Sequence, residues 1–342
     1  MEYKKLGDIA TYINGYAFKP EQRGNEGLPI IRIQDLTGNA YDLGYYNGDY
    51  PKKVELNDGD VLISWSASLG VYLWNRGKAL LNQHIFKVVF DKVEIDKFYF
   101  MYAVEYNLDK MSLKTHGATM KHITKKDFDN VVIPYPDLDY QKEVAYRLTS
   151  LKGIIENYKK QLDLLDELVK ARFVEMFGEI EDCDKWESKI WNEVVTIKNG
   201  RDYKKVLVSD GGYPVVGTGG EIARASKYLC PENTIVVGRK GSINNPMLMK
   251  EKFWNVDTAF GVIPNSDYLH YQYFYCFCKF YNFMKLNKAT TLPSTTKADL
   301  LKIRINIPPL ELQNQFASFV QEIDKSRLLS NHSLFLIKSI IF

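Results

Sequence analysis

The groups best able to do chemistry in this chain are four cysteines, five histidines and three motif-like runs, and in each case the spacing withholds a partner. Cys183, Cys230, Cys276 and Cys278 show no C-x-x-C pair and no histidine arranged for zinc. They read as ordinary thiols of a reducing compartment. His84, His116, His122, His270 and His332 are scattered, without metal spacing or a neighbouring nucleophile. Gly217-Thr218-Gly219-Gly220 suggests a cofactor loop, but no acidic residue follows at the distance a nucleoside-binding fingerprint needs. Turn chemistry explains those glycines more simply. Gly238-Arg239-Lys240-Gly241-Ser242 resembles a fragment of a P-loop without the four-residue gap before Gly-Lys. Asn306-Ile307-Pro308-Pro309 has the wrong spacing for the Asn-Pro-Pro-aromatic motif of an amino-methyltransferase. The chain is therefore expected to have no catalytic set and no metal site.

The elements that would position any functional residue come in two copies. Thr124-Lys125-Lys126-Asp127-Phe128 returns 172 residues later as Thr296-Lys297-Ala298-Asp299-Leu300. In the same register Val131, Ile133, Pro136 and Gln141 fall on Ile303, Ile305, Pro308 and Gln313. A period of half the chain describes tandem domains, not a solenoid. The openings match as well, Leu6 to Gly15 against Trp191 to Gly200. Strand candidates follow in both halves, Pro29 to Arg32 against Pro214 to Gly217 and Gly59 to Ser64 against Asn233 to Gly238. Aromatic stretches at 98–102 and 271–275 fit helices packed on a sheet, and such stripes are core more often than base-stacking platforms.

Each half ends in a long helix. Val144, Leu148, Leu151, Ile155, Tyr158, Leu162, Leu165 and Val169 alternate steps of four and three, which is a heptad seam. The second copy offers Phe316, Val320 and Ile323, then the polar Arg327 and Ser330, then Leu334, Ile337 and Ile341. A helix from about Asp139 to Phe177 would run roughly 55–60 Å at ~1.5 Å per residue. Two such helices in domains related by a two-fold rotation pair antiparallel, where Arg327 and Ser330 either set register or stay in solvent. The expected fold class is α+β: two tandem pseudo-symmetric, mixed, strand-rich α/β domains at 1–138 and 181–309, with helices at 139–180 and 310–342 pairing as an antiparallel coiled coil.

The net charge of +3 hides an uneven distribution. Residues 137–187 hold thirteen acidic and eight basic side chains, so the remainder is +8. Basic flanking domains are a modest polyanion signal, because Lys and Arg neutralise phosphates. The start lacks an apolar leader and no stretch is long enough to span a bilayer, so a cytoplasmic location is expected.

Pro308-Pro309-Leu310-Glu311-Leu312-Gln313, its diverged copy Tyr135 to Gln141, the Tyr213 to Gly220 stretch and the Gly59-Asp60-Val61-Leu62 turn carry a family resemblance. Over its whole length the chain resembles the specificity subunits of type I restriction-modification enzymes. It departs from that family's Gly-Ser/Thr-polar-Ile segment at Gly117 to Ile123 and Ala289 to Thr295. The resemblance implies a non-catalytic DNA-recognition subunit whose two domains each read half of a bipartite, asymmetric site, while the helices set the gap and dock methyltransferase subunits. It also implies double-stranded DNA, two modification subunits and restriction subunits as partners. S-adenosylmethionine, ATP and Mg would sit on those subunits and none on this chain. DNA reading needs Lys and Arg at phosphates and polar side chains on loops at base edges. The candidates are Arg32, Ser64, Trp65, Ser66, Thr119, Lys121, His122 and Lys125 in the first half, and Arg239, Lys240, Thr290, Thr291, Ser294 and Lys297 in the second. Two other readings compete, a nuclease or methyltransferase acting on DNA directly and a non-catalytic dimerisation scaffold.

Overall fold

The computed structural model describes residues 2–40, 42–114, 124–180, 185–289 and 291–341. Apart from its last two residues the chain forms two compact units, Met1–Ile155 and Glu156–Ile340. The division falls inside the central helix Leu138–Phe177 rather than at either of its ends. The reason is that the helix is held by different partners along its length. Thr149 hydrogen-bonds Tyr102 (2.8 Å) and Lys152 pairs with Glu105 (2.6 Å) in the first unit. Val169, Phe173, Met176 and Phe177 are built into the core of the second.

Each unit repeats one antiparallel sheet. In the first its order is Thr11–Asn14, Ile85–Val89, Val61–Ser64, Gly70–Leu73; in the second it is Val195–Asn199, Ala259–Pro264, Thr234–Gly238, Met247–Met249. Val61–Ser64 and Thr234–Gly238 are buried along their whole length, as their apolar runs require of strands covered on both faces. A second sheet in each unit contains a parallel pair, Leu28–Ile31 with Ala79–Leu81 and Tyr213–Gly217 with Trp254–Asn255. Its flanks are wired differently, since Tyr213–Gly217 forms a hairpin with Gly220–Ala225 whereas Leu28–Ile31 pairs with Tyr45–Tyr46. The aromatic stretches are indeed helical, within Lys97–Lys114 and Tyr271–Phe280.

The repeated sequence is a repeated set of fastenings. Thr124 and Thr296 cap short helices, each accepting from the amide three residues on and donating to that aspartate, Asp127 or Asp299. Val132–Pro134 pairs with the opening strand Tyr3–Lys5, and Arg304–Asn306 pairs with Ser188–Ile190. Gln141 is buried; its Oε1 accepts from the Asp96 amide (2.9 Å) and its Nε2 donates to the Pro136 carbonyl (2.8 Å). Gln313 does the same with the His270 amide (2.8 Å) and the Pro308 carbonyl (2.8 Å). One glutamine side chain thus welds the start of each long helix to the start of another helix of its unit.

In the second unit the two long helices run antiparallel. Phe173 and Phe177 lie against Phe316, Arg172 lies over Phe319, and Asp166 pairs with Arg327 (2.7 Å). As one helix is followed backwards the other runs forwards. Arg327, a polar break in the seam, is therefore a register contact, and Ser330 is buried beside it in sequence. The other seam residues from Val144 to Val169 and from Phe316 to Ile337 are buried or half-buried, while Leu164, Leu168, Leu328, Leu329 and Phe335 are exposed.

Asp166 also bonds Lys279 (2.8 Å). Partial burial acts to raise its pKa, but the Lys279 hydrogen bond and the two cations outweigh it, so the carboxyl lies below its ordinary value. A depressed folded pKa gives stability that is present above the ordinary carboxylate pKa and is lost as pH falls through the folded value. Asp166→Asn should therefore cost less than ~1 kcal/mol at pH 7, because the group is half exposed. The difference between wild type and variant should begin to shrink at about pH 4 and vanish only as pH falls through the folded value. Urea unfolding at a series of pH values from 7 downward checks this; a difference that does not shrink as pH falls below about 4 would show that the contact is not ionic.

Candidate nucleic-acid interface

The polar loops that follow the buried strands stand at equivalent places in the two sheets. Ile63 is paired with Phe86, and Val237 with Phe260. Phe86 and Phe260 are in turn paired with Asn14 and Asn199 on the adjacent strand. Two residues on, just past the strand ends Ser64 and Gly238, stand Trp65 in one unit and Arg239 in the other. The Trp65 amide donates to the His84 carbonyl (3.3 Å), and the Arg239 amide donates to the Thr258 carbonyl (2.8 Å). The Trp65 ring stacks on Phe86 with centroids 5.5 Å apart, while the Arg239 guanidinium lies 6.0 Å over Phe260. Gly15 and Gly200, just after the two asparagines, permit the close approach of a neighbouring segment. A Cβ there would sit 1.9 Å from the Asn82 carbonyl oxygen or 1.8 Å from that of Val256.

In the second unit this arrangement opens as a cleft of about 350 Å³ lined by Asn199, Arg239, Lys240, Phe260, Ser294, Thr295, Thr296 and Lys297. Its walls are fastened together. The Thr295 amide donates to the Arg239 carbonyl (3.0 Å), the Thr295 hydroxyl to the Gly238 carbonyl (2.8 Å), and Lys240 bridges Ser294. Arg239, Lys240 and Lys297 are exposed, and among the described residues none of them forms an ion pair. The cleft is cationic and its charges are free to meet an anion.

Residues 1–166 and 183–337 match the family of the type I restriction modification DNA specificity domain. The chain belongs to this family. It carries the domain twice, in tandem. The specificity subunit of the type I restriction enzyme MjaVIII of Methanocaldococcus jannaschii is 24% identical over 94% of this chain and 86% of its own length. The EcoBI specificity subunit of Escherichia coli is 28% identical over 48% of this chain, an alignment that spans only 35% of that relative. The crystal structure of the type I restriction-modification S subunit from M. genitalium has the same fold, with a TM-score of 0.63 over 99% of this chain and 93% of that one at 15% identity.

Within these specificity domains the expected contact residues fall into three groups. Arg239, Lys240, Ser294 and Lys297 are brought together in the cleft, with Thr291 exposed nearby in sequence. Lys125 occupies in the first domain the place of Lys297, after the capping threonine. Arg32 and Ser64 depart from expectation. Arg32 is buried, and its guanidinium is committed to both oxygens of Asp35 (2.9 and 3.2 Å) and to the Asp42 carbonyl. That makes it a fastening of its own loop. Ser64 is also buried and donates to the Ser68 carbonyl, closing the turn that carries Trp65 and Ser66, of which Ser66 is itself largely covered. Thr119, Lys121, His122 and Thr290 lie outside the described residues.

Phe86, Phe260, Asn14 and Asn199 were missed by sequence reasoning. The Asn-Gly pairs closing both openings were a signal for the asparagines; nothing distinguishes the two phenylalanines from other strand residues. The thiols of Cys230, Cys276 and Cys278 are poor nucleophiles. Burial pushes Cys230 and Cys276 up to about 12 and raises Cys278 well above its usual value. Among the described residues no group of three or more His, Cys, Asp or Glu could hold a metal ion, and no helix is long and apolar enough to cross a membrane.

Proposed function

We propose that this chain acts as the DNA-recognition subunit of a type I restriction-modification complex, borrowing its chemistry from methyltransferase and restriction subunits. Each domain reads one half of a bipartite site, and the paired helices set the distance between the halves. The observation that carries this reading is one scaffold built twice with unlike loop chemistry at equivalent positions, Trp65 and Ser66 against Arg239 and Lys240. A scaffold duplicated for dimerisation alone has no use for that divergence.

The exposed apolar side chains Leu164, Leu168, Leu328, Leu329 and Phe335 on the long helices support docking of the modification subunits there. S-adenosylmethionine, ATP and Mg then belong to the partners, which work with this chain on DNA in the cytoplasm. Methylome mapping in cells with and without the chain is the test, and one bipartite adenine-methylated motif should disappear when the chain is removed. The complex should also lose at least ~10³-fold in duplex affinity between 50 and 200 mM salt if it neutralises about six phosphates. Salt-independent binding and an unchanged methylome would overturn the reading and favour a scaffold.

A further inference from the structure

Phosphates are the same in every half-site, whereas bases differ. A scaffold used twice can keep its phosphate contacts identical between copies, but it must change its base contacts. The described residues at equivalent positions of the two units sort by this criterion. Lys125 and Lys297 are identical, as are the capping Thr124 and Thr296 that precede them. Trp65 and Arg239 share a backbone position and a phenylalanine support but differ in everything that DNA could read.

We propose that Arg239 is the residue with which the second domain reads a guanine, and that Lys125 and Lys297 are phosphate contacts that carry no sequence information. The proposal rests on the DNA-recognition reading above and goes further by separating specificity from affinity at named positions. Three features of Arg239 suit it to a base edge. Its backbone is clamped on both sides, by Thr258 through its amide and by Thr295 through its carbonyl, so its Cα is held where a base contact needs precision. Its guanidinium lies over the Phe260 ring, which restricts the long side chain. Among the described residues the guanidinium's only hydrogen bond is a long one, 3.4 Å to the Asp257 carbonyl, which leaves most of the planar donor fork available. That fork matches O6 and N7 of guanine in the major groove. Lys297 is different: it is a point charge on a flexible stem, already donating to the Ile197 carbonyl (3.0 Å), with no other partner among the described residues.

The test uses the full chain together with its modification subunits, selecting bound duplexes from a pool with both half-sites randomised. Wild type should return a bipartite consensus containing a guanine in the half-site read by the second domain. Arg239→Gln should lower the preference at that one position by roughly ten- to a hundred-fold while the other half-site and the gap stay as they were. Arg239→Lys keeps the charge but not the planar fork, so it should retain a guanine preference at that position that is weaker than wild type and stronger than Arg239→Gln. Lys125→Gln and Lys297→Gln should leave the consensus intact, weaken all duplexes alike and each reduce the slope of log affinity against log salt by about 1. An Arg239→Gln variant that keeps the wild-type consensus, whether or not its affinity falls, would overturn the role given to Arg239. A base preference lost with Lys125→Gln or Lys297→Gln would overturn the sorting. If wild type returned no bipartite consensus, the functional reading itself would fail, a different result from any of these.

Discussion

Phe173→Ala should destabilise the second unit by about 3–5 kcal/mol, the range for emptying a large aromatic from a well-packed core. Phe173 belongs to a helix that begins in the other unit, yet it is a centre of this one's aromatic core. Its ring lies 5.4 Å from Tyr273 and nearly parallel to it, and packs edge-on against Phe177, Phe280 and Phe316 at 5.1, 5.4 and 5.6 Å. Truncation removes four aromatic contacts together, and three of those partners are fixed on two other helices, so the site cannot easily collapse. Tyr273 is also tied to the Asn306 carbonyl (2.9 Å), just ahead of the final helix, which resists movement into the space. Urea unfolding followed by tryptophan fluorescence measures the loss, since Trp191 sits in the same core. A change below ~1 kcal/mol would show that the central helix is not seated there.

One heptad inserted into each long helix should widen the gap between methylated half-sites by about three base pairs. Seven residues lengthen a helix by roughly 10 Å, and base pairs are spaced ~3.4 Å apart. The insertion in the central helix belongs between Ile155 and Glu156, where one compact unit gives way to the other and no core residue is displaced. Seven residues keep the seam in phase, so the Asp166–Arg327 contact and the packing of Phe173 survive. A four-residue insertion is the control. Being little more than one turn, it rotates the seam by only about 40° and should leave methylation in place with a smaller change of gap. A five-residue insertion rotates it by about 140° and should abolish methylation. Methylome mapping reads both outcomes, and an unchanged gap with the heptad insertion would sink the idea that the helices are a ruler.

Much of the architecture was legible because its signals are local or repeated. A seam of fours and threes can only be one face of a helix, and the Thr-Lys-x-Asp echo marked two copies of one capped turn before any contact was known. Arg327 and Ser330 were ambiguous for an equally physical reason. A polar residue in an apolar seam is either exposed or paired, and only the facing helix decides which. Asp166 decided it for Arg327. Arg32, a basic residue after a strand, looks free in sequence, while Asp35 three residues on takes up its Nε and one terminal nitrogen of its guanidinium.

By itself the sequence determined that the chain is a tandem duplication with paired long helices, and that Trp65 and Arg239 head equivalent loops. Periodicity and repetition are properties of the chain alone, so they survive without coordinates. Only the tertiary structure decided what those loops rest on and which charges remain available. Sheet pairing brings Phe260, Asn199 and Lys297 to Arg239 from segments far apart in the chain, and burial, a property of the packed whole, withdraws Arg32 and Ser64 from the surface.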